Sequence, residues 1–142
     1  MRKYYGKSNT LIQGGKSMKK VISTDKAPKA IGPYSQAILA GDFVFISGQI
    51  PIDPNTGEIK EGIKDATTQI IKNISAILEE LGLTLDSVVK TTVFLTNMED
   101  FKEFNEVYGT FFKKDPPARS TVAVKELPRG VRIEIEAIAF RG

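Results

Sequence analysis

The apolar pattern of residues 63–81 constrains the fold more than any other feature of this chain. Ile63, Ala66, Ile70, Ile71, Ile74, Ile77, Leu78 and Leu81 recur at the helical period as one stripe, with Lys64, Lys72, Glu79 and Glu80 opposite. Gly82 stands where a helix is ended by a residue free to turn left-handed. A helix with one broad apolar face has to bury it, and the flanking sequence supplies sheet to bury it on. Upstream, Lys20–Ser23, Gln36–Ala40 and Phe43–Gln49 read as strands, the last two as a hairpin across Gly41-Asp42. Phe43–Ile46 is apolar at every position, which predicts burial on both faces. Downstream, Val88–Thr96 is a β-rich run and Asn97 opens a turn. Glu99–Phe112 then returns to the helical period, with Phe101, Phe104, Tyr108 and Phe111 facing inward.

The remaining stretch, Pro116–Phe140, holds two extended segments, Ser120–Glu126 and Val131–Phe140, around a Leu-Pro-Arg-Gly turn. It reads as a β-hairpin with a slightly long loop. In the second segment Val131, Ile133, Ile135 and Ala137 fall on one face, and Arg132, Glu134 and Glu136 on the other. Arg119 precedes the first segment, pinned by Pro116 and Pro117. A guanidinium presented near two carboxylates suits either a small-acid site or an ordinary solvated sheet face.

The order β-β-β-α-β-α-β-β lacks strict β-α-β alternation, so the expected class is α+β, with helices covering one face of a sheet. The other face, with residues such as Val122 or Val131, is too apolar for water. Burial against further copies of the chain is the expected solution, with sites near the seams.

At 142 residues, one domain can bury a core unaided. The chain has no cysteine and no histidine. That excludes disulfides, thiolate chemistry, Ser-His-Asp catalysis, histidine zinc sites and an imidazole base. Acid–base work falls to carboxylates, tyrosines, lysines or water. The net charge of +3 is unevenly placed: residues 1–20 carry six basic residues and no acid, leaving 14 basic and 17 acidic residues beyond. The basic character belongs to the N-terminus, so nucleic-acid binding is not the expected function. Residues 1–17 show no period and no secretory h-region, and read as a poorly ordered basic extension, or a start placed too early, before a domain at 18–142. No apolar run reaches membrane-spanning length, so a soluble protein is expected, cytoplasmic by default.

Three further positions attract notice. The loop Ala27–Pro33 fixes the backbone just ahead of Tyr34 and Ser35. Ser47-Gly48 ends the apolar strand, where the glycine allows close approach to the backbone or simply marks a bulge. Asn105 is a polar residue on a helix otherwise given to packing.

The stretches AIGPYSQA, FISGQIP, DPNTGEI, VKTTVFLTNMEDF, PPARSTV and RIEIEAIA, in this order from about Met18 to Arg141, resemble the RidA (YjgF-type) family of imine deaminases, also described as endoribonuclease L-PSP. The resemblance implies a chorismate-mutase-like fold, a homotrimer with ligand clefts at its interfaces, and no cofactor or metal. It also implies hydrolysis of 2-aminoacrylate and 2-iminobutanoate to 2-keto acids and ammonia, beside the pyridoxal-phosphate enzymes that release them. By motif position, Arg119 becomes the carboxylate clamp and Glu134 the base for the attacking water, with Glu136 in support. Tyr34, Ser47, Gly48, Asn105 and Thr121 become substrate-binding residues. Thr121 stands where many relatives carry cysteine, and the family uses the backbone N–H there. A non-catalytic module binding a small carboxylate is the main alternative, and a ribonuclease a minor one.

Overall fold

The computed structural model describes residues 19–142, so the proposed N-terminal extension lies outside the described residues. Six strands form one sheet: β1 (Lys19–Ile22), β2 (Ala37–Ala40), β3 (Phe43–Gln49), β4 (Val88–Leu95), β5 (Ala118–Ala123) and β6 (Ile133–Phe140). Two helices, α1 (Ile63–Glu79) and α2 (Phe101–Phe111), complete it. The sheet order is β1-β2-β3-β6-β4-β5. The chain is thus α+β, as expected from the element order.

The helical stripe behaves as its spacing demands. Ile70, Ile71, Ile74, Ile77 and Leu78 are almost wholly buried, each worth roughly 1.5–3 kcal/mol on burial. Gly82 adopts φ +69°, and Leu83 N–H returns to Leu78 O at 3.0 Å, which closes the helix end. The hairpin between β2 and β3 turns at Gly41 with φ +60°, a conformation that costs glycine nothing.

The expected hairpin between the last two strands does not form. β5 pairs parallel with β4, while β6 pairs antiparallel with β4 and with β3, so β4 lies between β5 and β6. The linking segment crosses the end of β4, where Val124 N–H reaches Leu95 O at 2.8 Å and Thr96 N–H reaches Arg132 O at 3.1 Å. Parallel β5 ends at the same edge from which antiparallel β6 starts. A link somewhat too long for a tight turn is long enough to step over one strand, and sequence spacing does not separate the two arrangements.

Both helices lie on one face. Val44 and Ile46 of β3 and Ile133, Ile135, Ala137 and Ala139 of β6 point into that core. The opposite face carries Phe43, Phe45, Val122 and Phe140, each more than two-fifths exposed. Two expectations are corrected here. Phe43–Ile46 is buried on one face only within a single chain, because helices cover only that side. Val131 is buried, ahead of β6, and does not belong to the bare face. Among the described residues, no helix is long and apolar enough to cross a membrane.

Candidate active site

The residues singled out in the sequence gather into two groups on opposite faces of the sheet. The first is built on β5 and α2. Arg119 is the register partner of Thr91, and Thr121 that of Val93. Thr91 and Val93 are buried on the helix side, so Arg119 and Thr121 share that side at the sheet's edge. Arg119 Nη1 donates to Asn105 Oδ1 at 2.8 Å. Its guanidinium carbon lies 4.8 Å from the ring centre of Tyr108, 5.3 Å from Phe104 and 5.5 Å from Phe101. These three rings, read from the sequence as core, are also the platform of a cation. The ion pairs among the described residues do not include Arg119. Thr121 Oγ1 is buried with no hydrogen-bond partner, a cost of about 1–3 kcal/mol unless something supplies one.

The second group is built on β3, β6 and the loop before β2. Glu134 of β6 lies against Gly48, and a β-carbon at residue 48 would overlap the Glu134 carboxylate. Both sequence readings of Gly48 therefore hold, since the register of β3 on β6 also shifts between Ile46 and Gln49 as a bulge requires. Burial raises the Glu134 carboxyl above its ordinary value, and the charge of Glu136, two residues on, raises it further. Gly48 and Tyr34 line one cleft of about 270 Å³ with Pro28, Ile31, Gln49 and Arg129. Ser47 turns to a different hollow, of about 570 Å³, beside Phe45, Lys90, Thr92 and Glu136 on the bare sheet face. Its Oγ donates to Ser35 O at 2.5 Å, so that hydroxyl proton holds the segment bearing Tyr34.

One residue of this group gave no signal in the sequence. Gln36 is buried, and its Nε2 donates to the carbonyls of Thr24 at 3.0 Å and Pro28 at 2.7 Å. Its Oε1 accepts from Thr24 N–H at 2.7 Å, which fixes both ends of the loop that presents Tyr34. A glutamine at a strand start looks like any polar residue until the loop folds around it.

Glu134 is not in one cleft with Arg119 inside a single chain. Glu134 pairs with Phe94 and Phe94 with Val122, which puts Arg119 two strands over and three residues along. Their Cα atoms are thus about 14 Å apart with side chains on opposite faces. One group thus carries a guanidinium outside the ion pairs of the described residues, and the other a carboxylate with raised proton affinity against Gly48. Among the described residues, no group of acidic side chains converges as metal ligands would.

Comparison with known proteins agrees with this architecture. Residues 24–141 match the family described as Endoribonuclease L-PSP. A RutC family protein of Pyrococcus horikoshii is 59% identical over 125 residues, covering 87% of this chain and 99% of its own. A human protein named 2-iminobutanoate/2-iminopropanoate deaminase is 48% identical over 126 residues, covering 88% of this chain and 92% of its own. Among solved structures, Escherichia coli TdcF with bound serine superposes with TM-score 0.84 at 46% identity, covering 87% of this chain and 99% of that one.

Proposed function

This chain belongs to the Endoribonuclease L-PSP family, the RidA group of proteins, and we propose that it hydrolyses 2-imino acids to 2-keto acids and ammonia. The observation that carries this reading is that one chain holds both an Arg119 outside the ion pairs of the described residues and, on the opposite sheet face, a Glu134 whose carboxyl is raised by burial. A 2-imino acid offers a carboxylate beside an electrophilic C=N carbon, which needs one group of each kind. Relatives at this level of identity named 2-iminobutanoate/2-iminopropanoate deaminase support it. So does a relative whose structure holds serine, a ligand of similar size.

In this mechanism the guanidinium of Arg119 takes the substrate carboxylate as a bidentate pair and so fixes the reacting carbon. Thr121, two residues on along β5 and on the same side, offers its backbone N–H to that carboxylate. Glu134 takes a proton from water as the oxygen adds to the C=N carbon and passes it to the nitrogen, which gives a carbinolamine. Glu134 then takes the carbinolamine hydroxyl proton and passes it to the amine as the C=O bond forms and the C–N bond breaks. The balance is one imine and one water to one keto acid and one ammonia. A raised carboxyl suits the base, because it must both accept and return the proton near neutral pH.

The two halves meet when the bare sheet face of one copy packs against others, and we place the complete sites at the seams of a homotrimer. The apolar face with Phe43, Phe45, Val122 and Phe140 supports such an assembly. Such imines leave pyridoxal-phosphate enzymes acting on serine and threonine, so the protein would work beside them in the cytoplasm, without a cofactor of its own.

The test is a coupled assay in which a threonine dehydratase generates 2-iminobutanoate and release of 2-oxobutanoate is followed. Wild-type protein accelerates release and Arg119→Ala does not. A folded wild type without effect refutes the deaminase reading.

A further inference from the structure

Arg119 is held in place by groups that carry no charge, and this goes beyond its role as a clamp while resting on that role. Phe101, Phe104 and Tyr108 follow one another on one side of α2 at helical spacing, with Asn105 at the exposed margin of that side. The helix lies where this face overhangs the sheet edge, so the rings meet the guanidinium of β5 at 4.8–5.5 Å. Tyr108 is fixed in turn, because its hydroxyl shares a hydrogen bond of 2.7 Å with Thr91 Oγ1 and both residues are buried. Thr91 is the register partner of Arg119 itself. The tether therefore runs from β4 through Tyr108 to the guanidinium on the neighbouring strand.

The chemistry of the holders matters as much as their geometry. An aromatic face attracts a cation through its quadrupole without neutralising it. Asn105 accepts from Nη1 at 2.8 Å through a neutral amide oxygen. An aspartate there would form an ion pair and spend the charge that a ligand carboxylate needs. With Nη1 engaged by Asn105, the other edge of the fork is left for a bidentate anion.

We propose that Phe104, Asn105 and Tyr108, backed by Thr91, form a neutral cradle that orients Arg119 and keeps its charge available for the carboxylate of the substrate. Asn105 is then a positioning residue and not a substrate contact. Tyr108 and Thr91 are positioning residues that the clamp depends on without touching the ligand.

The experiment is calorimetric titration of 2-oxobutanoate into wild type, Asn105→Asp, Tyr108→Phe and Tyr108→Leu, each with a thermal melt at one protein concentration. Asn105→Asp weakens binding about tenfold or more, as an internal carboxylate competes for the guanidinium, yet melts no lower than wild type. Tyr108→Phe keeps the ring, loses the Thr91 tether and weakens binding a few-fold. Tyr108→Leu loses the ring as well and weakens it about tenfold. Asn105→Asp with wild-type affinity overturns the cradle, as does a loss of affinity matched by an equal loss of melting temperature. A wild type that binds no 2-oxobutanoate overturns the clamp, and the cradle with it. A wild type that binds 2-oxobutanoate but hydrolyses no imine sinks the deaminase reading alone and leaves the cradle standing.

Discussion

Gly48→Ala separates catalytic placement from stability more cleanly than any other single change in this protein. The new methyl would overlap Glu134 Oε2 and stand 2.8 Å from Cδ and 3.1 Å from Cγ. Gly48 is not among the glycines with positive φ, so alanine fits the backbone and only the Glu134 side chain has to move. That side chain is long and partly exposed, and pushing it off its rotamer costs about 0.5–1.5 kcal/mol. A loss of that size leaves the protein folded. The carboxylate, however, must retreat by more than about 1 Å, and a displacement of about that size costs about a hundredfold in rate. Steady-state imine hydrolysis beside urea denaturation measures both effects. The expected result is kcat down about a hundredfold with a nearly unchanged urea midpoint. Adding Glu134→Gln causes no further loss, because the base is already out of place. A Gly48→Ala protein with at least half of wild-type kcat, or one that unfolds, refutes the reasoning.

Further consequences follow from other contacts. The acidic limb of the pH–rate profile lies above the ordinary carboxylate range, because burial first and the charge of Glu136 second raise Glu134; Glu136→Gln moves that limb to lower pH. A raised folded value means that the Glu134 contribution to stability is present below the unfolded carboxyl pKa and is lost as pH rises through the folded one. Glu134→Gln is therefore more stable relative to wild type at neutral than at acid pH, as urea unfolding at both will show. Gln36→Ala leaves Thr24 N–H and the Pro28 carbonyl unpaired in the interior and costs about 2–4 kcal/mol by denaturant titration. Asp100 is buried and takes two hydrogen bonds from the half-exposed Arg132, at 2.5 and 3.2 Å. Arg132→Ala loosens the start of α2 from β6 and costs about 1–2 kcal/mol, less than a fully buried pair because water screens it.

The elements that carry one strong period are legible in the amino-acid sequence. The stripe from Ile63 to Leu81 and the alternation of Val131–Phe140 report which side chains are buried, and each lies as its spacing required. Topology is less legible. Whether β6 follows β5 as a neighbour or steps over β4 depends on which strand fills the gap, and both arrangements satisfy the same local pattern. The site is legible as residue types and not as geometry. Arg119 and Glu134 stand out as motif residues, yet their placement on opposite faces comes from the strand registers, which set Arg119 beside Thr91 and Glu134 beside Phe94. The aromatic residues of α2 show the period of a core helix, and nothing in that period says that a guanidinium lies on them.

The most direct test mixes two inactive proteins. Arg119→Ala keeps the carboxylate half of the site and Glu134→Gln keeps the guanidinium half. If the halves meet between copies, equal amounts unfolded and refolded together restore about a quarter of wild-type imine hydrolysis, the share of seams in a randomly mixed ring that join two intact halves. Activity that stays at the level of the separate variants, in a mixture shown to exchange subunits, would contradict a site shared between copies.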